Sequence, residues 1–410
     1  MTMRCRHCRA AVTLPFIDLG TAPPSNAYLS AAALSSPETY YPLRVAVCSH
    51  CWLVQTEDYA LPAQLFAGDY AYFSSYSSSW LEHAARYVAD MAERFGLGAA
   101  SRVIEVAAND GYLLQYVKAR GIPCLGVEPT ASTARAARNR GIEVVEAFFG
   151  CALATTLVGD GCAADLTVAN NVLAHVPDIN DFVAGFARVL KPDGVATFEF
   201  PHLLRLVDEC QFDTVYHEHY SYLSFSAVAT IFARNGLAVF DVAELPTHGG
   251  SLRVFAQRED SGRRAVVAPV AALLEREARA GVTTAAYYQG FQRRADAIKD
   301  DFLRFLLQCK RDGESVGAYG AAAKGNTLLN YAGVRRDLLP WVADRNPSKQ
   351  GKFLPGSRIA IVDEARLRQE RPALVVVLPH NLRAEVTEQL AYVRDWGGRF
   401  VTAVPRLELT

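Results

Sequence analysis

The sequence predicts an α/β protein with three units: a short N-terminal cysteine-containing unit, a central doubly wound sheet and a smaller C-terminal α/β unit. Two cysteine pairs near the N-terminus stand apart from the other five cysteines. Short apolar segments alternate with helical segments between residues 102 and 200, and again from residue 315 onward. Strands separated by helices of about ten to fifteen residues indicate a parallel sheet covered by helices.

Length and composition narrow the possible classes of protein. A chain of 410 residues exceeds one ordinary hydrophobic core, so we expect more than one domain. The net charge of −1 argues against nucleic acid as a partner. No apolar run approaches the roughly 20 residues of a membrane-spanning helix. The N-terminus also lacks the apolar segment of a signal peptide, so the expected location is the cytoplasm.

The first unit, assigned to residues 1–66, contains the predicted metal site. Cys5-x-x-Cys8 and Cys48-x-x-Cys51 flank an insert of 39 residues. Each pair can place two thiolates on one metal, and four thiolates complete a tetrahedral zinc site. Because no position remains open for water, this zinc is expected to be structural. The alternative is a chance pairing of reduced cysteines, and His7 and His50 are expected to be solvated neighbours.

The central unit, assigned to residues 67–261, shows the alternation most clearly. A helix is expected at 81–95, and two late strands are expected to pair antiparallel. The predicted parallel strands are 102–107, 123–128, 165–170 and 195–200, and the late strands are 238–242 and 251–257.

A ligand-binding turn is predicted where the first strand of this unit ends. Glu105-x-x-x-Asn109-Asp110-Gly111 leads from strand to helix, and ligands of open α/β sheets bind at such edges. Glu128 ends the next strand, where a carboxylate can hold ribose hydroxyls. Because the turn is not G-x-G-x-x-G, S-adenosylmethionine (SAM), which lacks a pyrophosphate, fits better than NAD. Asn170 and Asn171 follow a later strand. The alternative to a ligand-binding site is that the turn at 105–111 is structural and Glu128 is an incidental acid.

The segment Tyr216-His-Glu-His219 concentrates groups suited to proton abstraction next to a carbonyl. Histidine has an ordinary pKa of about 6.5 and can remove such a proton, while a nearby phenol or imidazole supports the oxyanion. Glu218 can orient an imidazole or hold a substrate hydroxyl. His202, His217 and His248 can equally be structural histidines.

The third unit, assigned to residues 262–410, begins with a helical connector at 262–310 and continues as α/β. Gly317-Ala-Tyr-Gly-Ala-Ala-Ala-Lys-Gly325 follows its first strand. Lys324 at the start of a helix suits an anion. The alternative is a structural domain with an incidental lysine.

The motifs of the three units occur together in one order. They are the two cysteine pairs, Glu105–Gly111, Ala169–Pro177, Tyr216–His219, His248–Arg253 and Gly317–Gly325. In this set the chain resembles the zinc-containing, SAM-dependent sugar C-methyltransferases that act on dTDP-linked 4-keto-deoxysugars. The resemblance covers nearly the whole length, with Ala108 in place of the family's serine. It implies an N-terminal four-cysteine zinc domain, a central Rossmann-like class I methyltransferase domain and a smaller C-terminal Rossmann-like domain that binds the nucleotide sugar.

The resemblance also implies roles for individual residues. His219 is the expected base, and the other catalytic candidates are Tyr216, Glu218, His175 and Tyr76; Tyr70 and Tyr72 are alternatives to Tyr76. SAM is expected at Glu105, Asn109, Asp110, Gly111, Glu128, Asn170 and Asn171. The nucleotide sugar is expected at His248, Arg253, Tyr319 and Lys324.

The resemblance implies methyl transfer to carbon, at C-3 of the sugar. The alternatives are methylation at C-5 or another carbon, and a zinc-containing nucleotide-binding scaffold without methyl transfer. An RNA methyltransferase would also combine zinc with SAM, but the absence of a basic excess argues against it.

Overall fold

Three β-sheets organise the chain in the computed structural model, which describes residues 3–59 and 73–410. The strands are β1 (Leu14–Ala22), β2 (Tyr41–Val47), β3 (Val54–Thr56), β4 (Val103–Val106), β5 (Cys124–Val127), β6 (Val144–Val145), β7 (Ala164–Asn170), β8 (Leu190–Pro201), β9 (Ser221–Tyr222), β10 (Leu237–Leu245), β11 (Ser251–Arg258), β12 (Val316–Tyr319), β13 (Trp341–Ala343), β14 (Ala360–Val362), β15 (Leu374–Val377), β16 (Arg399–Thr402) and β17 (Glu408–Leu409).

Helices cover these sheets and connect their strands. The α-helices are α1 (Ser78–Phe95), α2 (Leu114–Ala119), α3 (Ala131–Asn139), α4 (Cys151–Gly159), α5 (Ile179–Val189), α6 (Leu203–Asp208), α7 (Phe225–Arg234), α8 (Ala268–Ala280), α9 (Ala285–Tyr288), α10 (Phe291–Asp312), α11 (Ala323–Tyr331), α12 (Ala365–Glu370) and α13 (Arg383–Gln389). Short 3-10 helices include Ser74–Tyr76, Leu173–His175, Phe212–Thr214, Thr247–Gly249 and His380–Leu382. No helix in residues 3–59 and 73–410 is long and apolar enough to cross a membrane.

The first sheet is antiparallel and has the order β1-β2-β3-β9. In β2, Leu43, Val45 and Val47 alternate with less buried residues, which is the period of a sheet with one face on a core. Its fourth strand, β9, begins at Ser221, close behind His219. The first sheet therefore holds the segment that carries the expected base.

The central sheet has the order β10-β11-β8-β7-β4-β5-β6, with β4 to β8 parallel. Strand order reverses between β4 and β7, and ligands bind at such switch points. The antiparallel pairing of β10 with β11 is confirmed. This is the Rossmann-like sheet that the alternation of segments predicts.

Two elements of the central unit, β6 and α4, were not predicted because their local sequence patterns are weak. β6 has only two residues, too few to show alternation. α4 is apolar over most of its surface and lacks an amphipathic pattern. β8 begins at Leu190, earlier than the expected strand at 195–200, and its pairing jumps from Ala164↔Leu190 to Leu166↔Val195.

The third sheet has the order β14-β13-β12-β15-β16-β17, with the first five strands parallel and β17 antiparallel. Its switch point lies between β12 and β15. α11 begins where β12 has ended, so the turn from Gly320 to Lys324 lies at this switch point. The C-terminal unit is therefore a second Rossmann-like sheet with its own ligand-binding edge.

The first and third sheets share a hydrophobic core, although they come from opposite ends of the chain. Phe16 of β1 stacks on Phe291 of α10, with ring centroids 4.4 Å apart. Leu43 and Leu328 belong to the same buried cluster. Burying side chains of this size stabilises a fold by about 1.5–3 kcal/mol each, so removing the third sheet would expose a core that the N-terminal sheet needs.

Candidate active site

A cavity of about 730 Å³ opens where the three units meet. The ends of parallel strands in both Rossmann-like sheets border it, so two ligand-binding edges face one space. The expected site residues that line it are Asn109, Glu128, Asn170, Asn171, His175, Tyr216, His219, His248 and Lys324. Residues from the beginning, middle and end of the sequence thus form a single site.

Glu128 ties together the two turns expected to bind the cofactor. Its carboxylate accepts hydrogen bonds from the backbone N–H groups of Asn109 and Thr130, both at 2.9 Å. Burial raises the pKa of Glu128. Each carboxylate oxygen has a further lone pair, so Glu128 can still accept a hydrogen bond from a ligand in the cavity.

Position 111 requires glycine because of its backbone conformation and because neighbouring atoms leave no room for a Cβ. Its φ is +78°, and a Cβ at this position would lie 2.4 Å from Cδ1 of Ile142. Asp110 forms an ion pair with Arg140 at 3.1 Å and accepts a hydrogen bond from the Ser75 hydroxyl. Gly111 and Asp110 are absent from the cavity lining, so their observed contacts shape the turn from behind.

The amide side chain of Asn170 is suited to bind a ligand. Residue 170 is buried at the end of β7 and lines the cavity. Neither polar atom of this amide has a hydrogen-bond partner among the described residues, and the same holds for Oδ1 of Asn171. Because buried polar groups are normally paired, these atoms match a ligand that supplies donors and acceptors.

Glu105 lies inside β4 and does not line the cavity. Burial raises the pKa of Glu105 well above its usual value, and a hydrogen bond from Tyr112 opposes that rise. Glu105 therefore lies in the strand that leads into the ligand-binding turn and does not face the cavity.

The tautomer of His219 follows from its hydrogen bond. Nδ1 lies 2.9 Å from the carbonyl oxygen of Thr214. A carbonyl oxygen only accepts, so Nδ1 carries the hydrogen and Nε2 of the neutral ring keeps its lone pair. His219 lines the cavity and is held in the form that a base requires.

Three rings contact His219: those of His175 and Tyr216, which line the cavity, and that of Tyr222, at a centroid distance of 5.9 Å. His175 makes an edge contact at a centroid distance of 4.7 Å, and Tyr216 lies at 3.9 Å with a tilt of 34°. Nδ1 of His175 donates to the carbonyl oxygen of Glu218 at 2.8 Å. Both imidazoles are therefore oriented through main-chain carbonyl groups.

These surroundings keep the imidazoles neutral near pH 7. Burial, reinforced by the nearby His175, lowers the pKa of His219 well below its usual value of 6.5. Burial lowers the pKa of His175 to about 4 and that of His248 to about 4. The expected base is consequently available to accept a proton across the neutral range.

Glu218 connects the catalytic segment with the N-terminal unit. Its Oε1 accepts from the backbone N–H of Asn26 at 3.2 Å and from the Asn26 side-chain amide at 3.3 Å. Oε2 has no partner among the described residues. Burial raises the pKa of Glu218. Asn26 lines the cavity and Glu218 does not, so Glu218 is placed to hold the cavity wall.

The expected substrate residues divide into two groups. His248 has a φ of 53° and contacts the Trp80 ring at 5.1 Å, and Lys324 donates to Oδ1 of Asn381 at 3.0 Å. Both line the cavity. Arg253 and Tyr319 do not line it.

Arg253 and Tyr319 are held by other side chains. Arg253 pairs with the buried Glu199 at 2.9 Å, and the same carboxylate oxygen contacts His83. The Tyr319 hydroxyl accepts from Gln389 at 2.7 Å. No pattern in the local sequence distinguishes such buried networks from ligand contacts.

Tyr76 lies away from the cavity lining, and 48% of its surface is exposed. Its carbonyl oxygen accepts from Arg345 at 3.0 Å. Tyr70 and Tyr72 fall outside the described residues. Which tyrosine among residues 70–76 serves in the active site stays a prediction.

Several lining residues escaped sequence reasoning. Trp80 stacks on His83 at 4.8 Å, and Tyr28 donates to the carbonyl oxygen of Ala321 at 2.7 Å. Lys349 donates to that same oxygen at 2.8 Å. Phe148 also lines the cavity and is 60% exposed. Only Trp80 had a local signal, since it ends a segment, residues 69–80, that is rich in tyrosine and serine. The others reach the cavity through tertiary folding.

The two cysteine pairs form turns of matching geometry. The N–H of Arg9 donates to the carbonyl of Cys5, and the N–H of Trp52 donates to the carbonyl of Cys48 in the equivalent position. Arg9 and Trp52 both have positive φ, at 64° and 60°. The four Sγ atoms lie within 4.8 Å of one another. Four convergent thiolates fit one tetrahedral zinc.

The expectation that His7 is solvated is wrong. His7 is buried, and its Nδ1 lies 2.7 Å from Oδ1 of Asn180 in α5. Its partner lies 173 positions away in the sequence, beyond the reach of local patterns. His50 is exposed, as expected.

Comparison with known proteins agrees with this architecture. Family models match residues 5–66 as a proposed zinc binding domain, residues 80–242 as a methyltransferase domain and residues 246–405 as a C-methyltransferase C-terminal domain. The C-methyltransferase NovU of Streptomyces niveus is 32% identical over 401 residues, which cover 98% of this chain and 95% of NovU. This chain belongs to the C-methyltransferase family.

The methyltransferase uses SAM as its cofactor and binds zinc through its N-terminal domain. Solved structures with partial similarity include magnesium protoporphyrin IX methyltransferase from Synechocystis PCC 6803 with bound SAM, at 15% identity and a TM-score of 0.34, covering 43% of this chain and 79% of that one. The [4+2]-cyclase SpnF has 14% identity and a TM-score of 0.34, covering 44% of this chain and 83% of that one. Similarities this weak do not bear on the function.

Proposed function

We propose that this methyltransferase methylates C-3 of a dTDP-linked 4-keto-deoxysugar and that His219 removes the proton from that carbon. One observation carries the proposal: Nδ1 of His219 donates to the Thr214 carbonyl, which leaves Nε2 as a base in a cavity bordered by the cofactor turn. A C–H bond next to a ketone is acidified because its electron pair can form an enolate.

The proton passes from carbon to Nε2 of His219. The C–H electron pair forms a carbon–carbon double bond, and the carbonyl electrons move onto oxygen. The Thr214 carbonyl stabilises the resulting imidazolium through Nδ1–H. Nε2 of His248 has no partner among the described residues and lines the same cavity, so it can hydrogen-bond the substrate.

The cofactor site uses groups at the end of the central sheet. Glu128 would accept hydrogen bonds from the ribose hydroxyls of SAM, and the Asn170 and Asn171 side chains would supply further polar contacts. When bound, SAM supplies an electrophilic methyl group to the enolate carbon. Holding the two reactants in one cavity raises the rate through proximity and orientation.

The nucleotide belongs at the switch point of the third sheet. Lys324 lies at the first turn of α11 and lines the cavity, so its charge and the helix N-terminus favour a diphosphate at one place. Lys349 adds a second cation to the lining and is held by Asp344 at 3.5 Å.

Replacing His219 tests the base. His219→Asn should lower kcat by about 10²- to 10⁴-fold, because general-base catalysis contributes that much. SAM affinity should be unchanged. The keto-sugar incubated in heavy water with S-adenosylhomocysteine should exchange its C-3 proton with the native enzyme and not with the variant.

His217→Asn is the matched control. His217 lies in the same segment, but its Nε2 donates to the Pro42 carbonyl at 3.2 Å and it does not line the cavity. Its substitution should alter stability more than exchange. Native exchange rates in His219→Asn would rule out His219 as the base, and exchange at another carbon would relocate the methylation.

A further inference from the structure

We infer that Arg6, within the first cysteine pair, is a positioning residue for the two imidazoles of the catalytic centre. The inference rests on the proposed function, in which His219 is the base. It gives the N-terminal domain a part in the reaction, although this domain is far in sequence from residues 175 and 219.

The guanidinium of Arg6 is buried, with 5% of its side chain exposed. It donates to three main-chain carbonyl oxygens: Thr56 at 2.8 Å, Tyr220 at 3.2 Å and Pro177 at 3.4 Å. Asp58 supplies the counter-charge, with its Oδ2 accepting from Nη1 of Arg6 at 3.0 Å. A planar fork of donors can hold several acceptors at fixed angles, which lysine cannot do.

The carbonyl groups that Arg6 holds flank the expected catalytic residues. Tyr220 directly follows His219, and Pro177 lies just after His175 in the chain. The N–H of Tyr220 also donates to the carbonyl of Ala174 at 2.8 Å. Arg6 therefore joins the His175 and His219 segments at their outer ends, while their rings meet at the cavity.

Thr56 completes this frame. Its hydroxyl donates to the carbonyl oxygen of His219, and its N–H donates to the carbonyl of Tyr220 at 3.1 Å. The adjacent pairing of β3 with β9 continues the same register. The backbone that follows the base is thus bound directly to the N-terminal sheet.

The backbone of Arg6 is itself held by residues that contact the metal-binding turn. Gln55 accepts from the N–H of Arg6 at 2.9 Å, and its Nε2 donates to Sγ of Cys5 at 3.3 Å. Asn180 donates to the carbonyl of His7 at 2.9 Å. A hydrogen-bonded path therefore leads from a zinc-ligand sulfur through Gln55 and Arg6 to the catalytic segment.

The test uses the full-length zinc enzyme and its Arg6→Gln variant. A misplaced catalytic group can cost about 100-fold, so C-3 proton exchange should fall by about 10- to 100-fold. The dissociation constant for SAM and the zinc content should stay at native values. Arg6→Lys should recover little of the exchange rate because it offers no planar fork.

A second readout reports position without any substrate. In enzyme labelled with ¹⁵N-histidine, the Nδ1–H signal of His219 is assigned by its absence in His219→Asn. We expect this proton to exchange slowly with solvent in the native protein, because it is buried and bonded to Thr214. In Arg6→Gln it should exchange at least about tenfold faster, since local opening governs exchange.

Arg4→Ala is the control in the same turn, because Arg4 is exposed and, within residues 3–59 and 73–410, its guanidinium bonds to the carbonyl of Arg9 in that turn. It should match the native enzyme in both readouts. Native exchange at C-3 and a native His219 signal in zinc-loaded Arg6→Gln would overturn the inference.

If Arg6→Gln loses zinc, Asp58→Ala decides by the same two readouts, since it removes the counter-charge that holds the Arg6 guanidinium and lies outside the metal turn. His219→Asn is assayed alongside. If that variant still exchanges the sugar proton, the base assignment fails, while the histidine signal still reports whether Arg6 positions residue 219.

Discussion

His175 and His219 are oriented in the same way: each donates its Nδ1–H to a main-chain carbonyl, and the acceptor for His175 belongs to Glu218, the residue preceding His219. Their rings meet at a centroid distance of 4.7 Å. Moving one segment therefore disturbs the other imidazole. This relationship makes the pair, rather than His219 alone, the unit that the surrounding structure positions.

The pH dependence of the reaction should reflect the environment of His219. Its pKa is held well below 6.5, chiefly by burial. The base loses activity when protonated, so kcat/KM should stay constant as pH falls through 6.5 and decline only at lower pH. A pH–rate profile checks this, with thermal unfolding measured at each pH. An acid limb centred at or above pH 6.5 would contradict a buried, neutral base.

Replacing Glu128 should weaken SAM binding. Glu128→Gln removes a charged acceptor worth about 1.5–3 kcal/mol, so the dissociation constant should rise roughly 10- to 150-fold in calorimetry. Glu143→Gln changes an exposed carboxylate in the same region and should have no effect. Unchanged affinity in the Glu128 variant would remove this residue from the cofactor site.

Gly111→Ala should destabilise the fold through two separable effects. Positive φ costs about 1–2 kcal/mol for a residue with a Cβ, and overpacking against Ile142 adds about 1–3 kcal/mol. Gly121→Ala isolates the first effect, because Gly121 has a φ of +69° and no atom within 4 Å of a built Cβ. Chemical denaturation should rank Gly111→Ala as the less stable variant.

A double variant checks the origin of that difference. Ile142→Val removes the Cδ1 atom that the new Cβ would meet. Gly111→Ala combined with Ile142→Val should therefore lose less free energy of unfolding than the sum of the two single changes. Strict additivity would show that the clash does not determine the cost.

Removing a thiolate should cost zinc and stability together. Metal analysis should find about one zinc per chain in the native protein, as expected for four convergent cysteines. Cys48→Ser should lower the zinc content and the melting temperature, because metal binding and folding are coupled. Cys162→Ser, outside the cluster, should retain the metal. Full zinc occupancy in Cys48→Ser would refute the assigned ligand set.

Lys324→Met tests the nucleotide site in an intact chain. The loss of one charge-assisted hydrogen bond should weaken dTDP binding by about 1.5–3 kcal/mol, with SAM binding retained. Lys310→Met is the control, since Lys310 is exposed and pairs with Asp337 at 2.8 Å. Equal dTDP affinity in the two variants would place the diphosphate elsewhere.

Much of this architecture follows from local patterns in the sequence. The spacing of Cys5, Cys8, Cys48 and Cys51 predicts the metal cluster because a tetrahedral ion needs two pairs of nearby thiolates. Alternating apolar and helical segments predict parallel sheets, and acids at strand ends predict ligand edges. Each of these inferences depends on residues close in sequence, where backbone geometry limits the possible arrangements.

The composition of the cavity depends instead on contacts between distant segments. Glu128, Asn170 and His219 reach it, whereas the charge of Arg253 is directed to Glu199 inside the central sheet. Tyr28 and Lys349 meet at one carbonyl although they come from opposite ends of the sequence. Such contacts leave no periodic trace, because they arise only when the N-terminal sheet and the C-terminal unit bury a common core. The amino-acid pattern therefore specifies the chemistry that is available, and the assembly of the three units selects which groups face the substrate.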